Sequence, residues 1–201
     1  MTMIADKPIV SLAEIEKRIA RLQKAMQARG VDGTLVLQKT DLFYFANTSQ
    51  QGYLYVPSEG KALLMVFKEF DRAKVESPLK DIISLASIKK IPQMLSEYEY
   101  ASPKIVGMEL DVLPANLYFM YSRIFGQSKI VDISTEIRLV RAVKSEFEIG
   151  KIRQAAYLSD MVAEKVSELL EPGKTEIQLA GEVEGYARSM GHQGVVRMRL
   201  W

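Results

Sequence analysis

Side chains able to do chemistry are scarce in this sequence, and those present do not converge. His192 is the single histidine, and there is no cysteine. A metal site needs several His, Asp or Glu ligands around one point, and Ser189-Met190-Gly191-His192-Gln193-Gly194 offers no carboxylate at ligand spacing. His192 therefore reads as a turn residue. Glu176, Glu182 and Glu184 share one helical stretch, but Glu182 and Glu184 stand two apart and face different directions. A general acid–base pair must address one pocket, so these are solvated helix charges. Lys144, Lys151 and Arg153 likewise flank a helix start. Gly30-Val31-Asp32-Gly33 is too short to cradle a phosphate, and no serine sits in a Gly-x-Ser-x-Gly elbow. Without cysteine, disulfides, thiolate metal sites and thiol nucleophiles are excluded.

One cluster stands out. Phe43-Tyr44-Phe45, with Tyr53 and Tyr55 nearby, concentrates aromatic rings in a short span. Aromatics at this density anchor ligands at a cleft or partners at an interface, and they also fill ordinary cores. Both readings stay open at this stage.

The elements that must position these residues follow from periodicity. Ser11 precedes Leu12, Ile15, Ile19, Leu22 and Met26, one apolar helix face, with Glu14 completing a capping box and Gly30 stopping the helix. Thr34–Leu37 reads as a buried strand. Tyr53–Val56 and Ala62–Phe67 flank Pro57-Ser58-Glu59-Gly60, a turn sequence that predicts an antiparallel hairpin. Lys68–Glu76, Ile91–Tyr98 (with Pro92 in its first turn) and Pro114–Phe125 read as helices, and Ile82–Ala86, Lys104–Met108 and Ile130–Ile133 as strands. The fold class is therefore α/β: a mixed β-sheet with helices on both faces.

After Ile133 the texture changes. A basic helix, Glu136–Lys144, leads to two long capped helices. One opens at Ser145 with Glu148 and ends at Pro172-Gly173, and the next opens at Thr175 with Gln178. Val195–Trp201 alternates like a half-buried strand, and two helices with one orphan strand cannot close a core of their own. The expected domains are 1–133, a linker helix at 134–144, and 145–201.

Composition narrows the class further. Lys and Arg total 27 against 25 Asp and Glu, with 48% hydrophobic residues, the balance of a soluble folded protein. A net charge of +2 gives no reason to expect nucleic acid as partner. No apolar run approaches the roughly 20 residues of a membrane span. Met1–Val10 carries Asp6 and Lys7 and lacks the core of an export signal, so a cytoplasmic location is expected.

Several segments together resemble the creatinase/prolidase family. Arg18–Leu22, Gly30–Val36 and Asp41–Phe45 are similar to the opening of its N-terminal domain. Leu139–Ile149, with Arg153-Gln154-Ala155-Ala156 and the Glu171-Pro172-Gly173-Lys174-Thr175-Glu176 turn, resembles its domain junction. The family comprises Xaa-Pro dipeptidases, aminopeptidases P and creatinases. The resemblance implies a noncatalytic N-terminal domain followed by the start of a pita-bread catalytic domain, truncated early. That catalytic domain would bind two divalent metal ions (Mn, Co or Zn) through two aspartates, one histidine and two glutamates. Neither His192 nor Glu182 matches those ligand motifs, so no catalytic and no metal-ligating residue is assigned here, and this fragment is expected to bind no metal.

The resemblance also implies a homodimer acting on proline-containing peptides, in which the N-terminal domain lends residues to the rim of its partner's active site. Asp41, Tyr44 and Asn47 occupy the matching segment, read as a loop after an aromatic anchor. The function this implies is an accessory and dimerisation domain of a metal-dependent Xaa-Pro peptidase. The alternative is a relative without peptidase chemistry, either a creatinase-like hydrolase or a binding scaffold.

Overall fold

The computed structural model describes residues 10–193, which form two compact units meeting between Val143 and Lys144. The strand expected at Val195–Trp201 lies outside the described residues.

The first unit is built on a six-stranded sheet: β1 (Gly33–Val36), β2 (Gly52–Pro57), β3 (Leu63–Val66), β4 (Ile82–Ser84), β5 (Ile105–Met108) and β6 (Lys129–Asp132). Their spatial order is β4-β3-β2-β1-β5-β6. β2 runs antiparallel to both β1 and β3, whereas β1–β5, β5–β6 and β3–β4 are parallel. Five strands therefore share one direction and β2 alone is reversed. The hairpin expected around Pro57–Gly60 is the β2–β3 pair, with Leu54 opposite Leu64, and Gly60 takes a φ of 98°.

Alternation along the strands builds two cores. Leu35, Tyr55, Leu63, Met65, Val106 and Met108 point to one face, where they pack with Ile91 and Leu95 of α4 (Ile91–Glu97) and Tyr121 of α5 (Ala115–Ile124). Val36, Leu54, Val56, Leu64 and Val66 alternate with these and are fully or nearly fully buried, so they line the opposite face. There α1 (Leu12–Ala28), α2 (Lys39–Ala46) and α6 (Ser134–Ala142) provide buried Ile15, Ile19, Leu22, Met26, Leu42, Phe45, Ile137 and Val140. Helices cover both faces, as the alternation of elements predicted. A short helix, α3 (Phe70–Glu76), follows β3.

Local signals account for the helix ends. Ser11 Oγ accepts the Glu14 N–H at 3.2 Å, and Gly30, at φ 65°, lets the Val31 N–H return to the Met26 carbonyl at 3.0 Å. The Glu14 carboxylate accepts from Arg18 Nε at 3.0 Å. Pro92 falls in the first turn of α4, where a missing N–H costs little. At Gly33 a Cβ would collide with the Tyr55 phenol, so only glycine fits where β1 begins. Helix α6, expected as a connector, packs on α1 within the first unit through Ile137 and Val140. Arg21 reaches its last carbonyls, donating to Val143 O at 3.0 Å.

The second unit is a helical pair, α7 (Glu146–Leu169) and α8 (Glu176–Ser189). Both open with complete capping boxes, Ser145 with Glu148 and Thr175 with Gln178. Pro172-Gly173 separates them, Gly173 at φ 91°. No residue of α7 is buried and only Ala187 of α8 is, while Tyr157 and Ile177 are exposed. No described helix is long and apolar enough to cross a membrane.

Candidate functional site

The segment 39–46 is a helix, which corrects the expectation of a loop carrying Asp41 and Tyr44. Helix α2 starts right after β1 with Gln38 at its N-cap and no side-chain cap. It ends at Asn47, whose φ of 55° is the left-handed conformation that asparagine tolerates better than most residues. Tertiary packing compensates for the weak start: Leu42, Phe45 and Ala46 are buried, and Phe43 is exposed. The aromatic segment thus divides, with Phe45 in the core and Phe43 facing outward.

Asp41 is buried in the first turn of α2 and accepts from Arg141 Nη1 of α6 at 2.7 Å. Tyr44 stands one turn further along. The Arg18 guanidinium lies 4.3 Å from its ring centroid and that of Arg141 5.9 Å, while Arg18 Nη1 donates to the Tyr44 carbonyl at 2.8 Å. Asp41 and Tyr44 therefore share one guanidinium and stitch α1, α2 and α6 together. A cation between a buried carboxylate and a ring face is held on two sides.

Asn47 belongs to a different cluster. Its Nδ2 donates to the Glu76 carbonyl at 2.7 Å, and the Glu76 carboxylate takes Thr48 Oγ1 at 2.7 Å, Gln50 Nε2 at 3.1 Å and Arg72 Nε at 2.7 Å. Burial pushes the Glu76 carboxyl up, but hydrogen bonds from Thr48, Gln50 and Arg72 outweigh it and hold the group below the usual carboxylate range. The Asn47–Gly52 connection is thus pinned to α3. Of the three residues expected at a rim, the structure joins Asp41 with Tyr44 and places Asn47 elsewhere, buried as a helix cap.

Glu109, Arg141 and Arg18 escaped the sequence reading. Glu109 follows β5 and is buried; its Oε2 accepts the N–H groups of Leu37 at 2.7 Å and Gln38 at 3.1 Å, just beyond β1. The ends of parallel strands β1 and β5 therefore meet through a carboxyl group, at the edge where open α/β sheets commonly place functional groups. Burial, reinforced by Asp41, pushes the Glu109 carboxyl up to about 8 against the opposing pull of the two backbone donors. The only visible signal in the sequence was an acid directly after an apolar strand.

These groups can bind, orient and hold a proton, but they do not form a metal centre. Among the described residues no three His, Asp or Glu side chains come together to hold an ion. Glu182 is paired with Lys174 at 2.9 Å, and the His192 N–H donates to the Ala187 carbonyl at the end of α8.

The sequence profile of the Creatinase/Prolidase N-terminal domain matches residues 18–143, from α1 through the end of α6. An uncharacterised peptidase of Bacillus subtilis, YqhT, is 25% identical over 175 residues, covering 87% of this chain and 49% of that protein. The Xaa-Pro dipeptidase of Pyrococcus furiosus is 25% identical over 174 residues, covering 85% and 47%. Among solved structures, an Xaa-Pro dipeptidase from Bacillus anthracis superposes with a TM-score of 0.78 at 23% identity, covering 88% of this chain and 50% of its own. The chain spans about half the length of the curated relatives it matches. With that profile covering α1 to α6 and the six-stranded sheet shared with a solved dipeptidase, the chain belongs to the creatinase/prolidase family, through the N-terminal domain of that family.

Proposed function

We propose that this polypeptide supplies the accessory, N-terminal half of a metal-dependent peptidase that cleaves next to proline. The observation that carries the reading is the match of residues 18–143, most of the first compact unit, to the N-terminal domain of a family whose matched relatives include Xaa-Pro dipeptidases. The coverage of about half of each relative supports an accessory role for what is present here.

The metal ions of such a peptidase, two of Mn, Co or Zn, would supply an activated water for peptide hydrolysis. The described residues of this chain do not fit that group: Asp41 is committed to Arg141, Glu109 to backbone N–H groups, and no third ligand joins them. No hydrolytic step is therefore assigned to any residue here. What the chain contributes is a rigid sheet with α2 held on its face, and the exposed Phe43 beside the Asp41–Tyr44 cluster is the natural anchor for a second subunit. The working form is a cytoplasmic homodimer that acts on proline-containing peptides, with neither nucleic acid nor membrane as partner. A creatinase-like hydrolase built on the same domain is the alternative, distinguished by substrate.

The test is hydrolysis of Ala-Pro and of creatine, with Mn²⁺ or Co²⁺ supplied, by this polypeptide and by a longer one carrying the family's second half. Ala-Pro cleavage by the longer polypeptide alone is expected. Creatine turnover would select the alternative, and cleavage by residues 1–201 alone would overturn the accessory role. Sedimentation of this polypeptide against its Phe43→Ala variant tests assembly, with a weakened dimer expected; a wild-type monomer, or a dimer indifferent to the change, would defeat the anchor.

A further inference from the structure

Glu109 is the most deeply buried acid among the described residues of the first unit, 1% exposed. Its Oε2 is saturated by the Leu37 and Gln38 N–H groups, whereas Oε1 is buried and receives no donor. Gln38 is the N-cap of α2 and buried Asp41 stands three residues on in the first turn of that helix, so the two carboxyl groups are neighbours at the start of α2. Two ionised carboxylates can only accept, so a buried pair of this kind repels unless one of them carries a proton. Asp41 has the Arg141 guanidinium at 2.7 Å, and among the described residues no cation pairs with Glu109.

We propose that Glu109 and Asp41 form a proton-dependent latch, in which the Glu109 Oε1–H donates to Asp41 and ties the start of α2 to the end of β5. Loss of that proton opens the tie. The geometry makes the consequence specific, because Asp41 is also the link to α6. On the Asp41 side stand Arg141 of α6, paired with Asp41, and Arg18 of α1, which lies over the Tyr44 ring and pairs with Glu14. Beyond β5, Asp111 is engaged by Arg138 at 3.1 Å. None of these supplies Glu109 with a counter-charge, so ionisation leaves two adjacent carboxylates sharing one guanidinium. Burial and the Asp41 charge put that ionisation near the upper end of physiological pH, since together they raise the Glu109 carboxyl to about 8.

The experiment is a carboxyl-carbon NMR titration of the full 201-residue chain, with amide hydrogen exchange of α2 followed from pH 7 to 9 and corrected for intrinsic rate. Glu109 should titrate with a midpoint near 8, and α2 protection should fall about tenfold across the range, the linkage of one proton over one pH unit. In Glu109→Gln the side-chain amide still accepts from Leu37 and Gln38 while donating to Asp41, so protection should stay flat. A native Glu109 that titrates near 4.5, or equal losses of protection in both proteins, would overturn the latch. Should Glu109→Gln fail to fold, Asp41→Asn decides the matter. Its amide can donate to an ionised Glu109 and must bring that titration down toward the ordinary range, and a midpoint unmoved by this change would overturn the proposal.

Discussion

The two compact units differ in what holds them. In residues 10–143, burial is nonlocal: Leu54, Leu35 and Val106 lie on the neighbouring strands β2, β1 and β5, and Arg141 reaches Asp41 across 100 positions of sequence. In residues 144–193, order is local, since two capping boxes and a Pro-Gly turn define the helices and only Ala187 is buried among them. Caps satisfy the otherwise unpaired N–H groups at each helix start, but a helix without a core to pack on is only marginally stable in water. Burial of apolar surface is what resists opening, so the two units should part company in every stability measurement.

The largest expected effect is the gap in opening free energy. Limited proteolysis should cut first within 144–193 and leave a fragment ending near Val143, and early cleavage inside Ile105–Met108 would break the comparison. Next comes the core. Phe45→Ala removes a fully buried ring from α2 and should cost about 3–5 kcal/mol, whereas Ile177→Ala on the exposed face of α8 should stay within about 0.5 kcal/mol. Denaturant midpoints measured on the full chain check both.

The pH dependence tied to Glu109 should act on the first unit. The native Glu109 carboxyl is raised above its ordinary value of 4.5 to about 8, so between those pH values the folded chain keeps a proton that the unfolded chain releases. The stability tied to that proton is fully present below about pH 4.5 and lost as pH rises to about 8, at up to about 1.4 kcal/mol per pH unit. Urea midpoints compared with Glu109→Gln isolate this slope, which should vanish in the variant. The caps of the second unit should give a modest effect. Ser145→Ala and Thr175→Ala each delete half of a capping box and should reduce helicity, visible by circular dichroism, at about 1 kcal/mol apiece.

How legible each part was in the sequence follows the same division. Ser145, Thr175, Pro172-Gly173, Gly30 and the Pro57–Gly60 turn announce themselves, because their partners lie within a few residues. The strand alternation and the two-faced sheet were readable for a similar reason, as a period repeated along each run. Helix α2 was not readable. Asp41–Phe45 has three consecutive aromatics, no side-chain N-cap and almost no one-sided apolar pattern, and it is helical because Leu42 and Phe45 pack on the sheet. Glu109 was opaque too, since its donors Leu37 and Gln38 are more than 70 residues away and only the parallel pairing of β1 with β5 brings them near. Asp41 stands out in the sequence through the family resemblance, but its partner Arg141, 100 positions on, does not.

In the proposed function, residues 1–201 carry structure and assembly for a peptidase and hold none of its metal ions. Isothermal titration of Mn²⁺ into this polypeptide at neutral pH is the decisive measurement. No stoichiometric binding is expected, because no three ligands converge among the described residues. A saturable micromolar site, with one or two ions bound per chain, would contradict it.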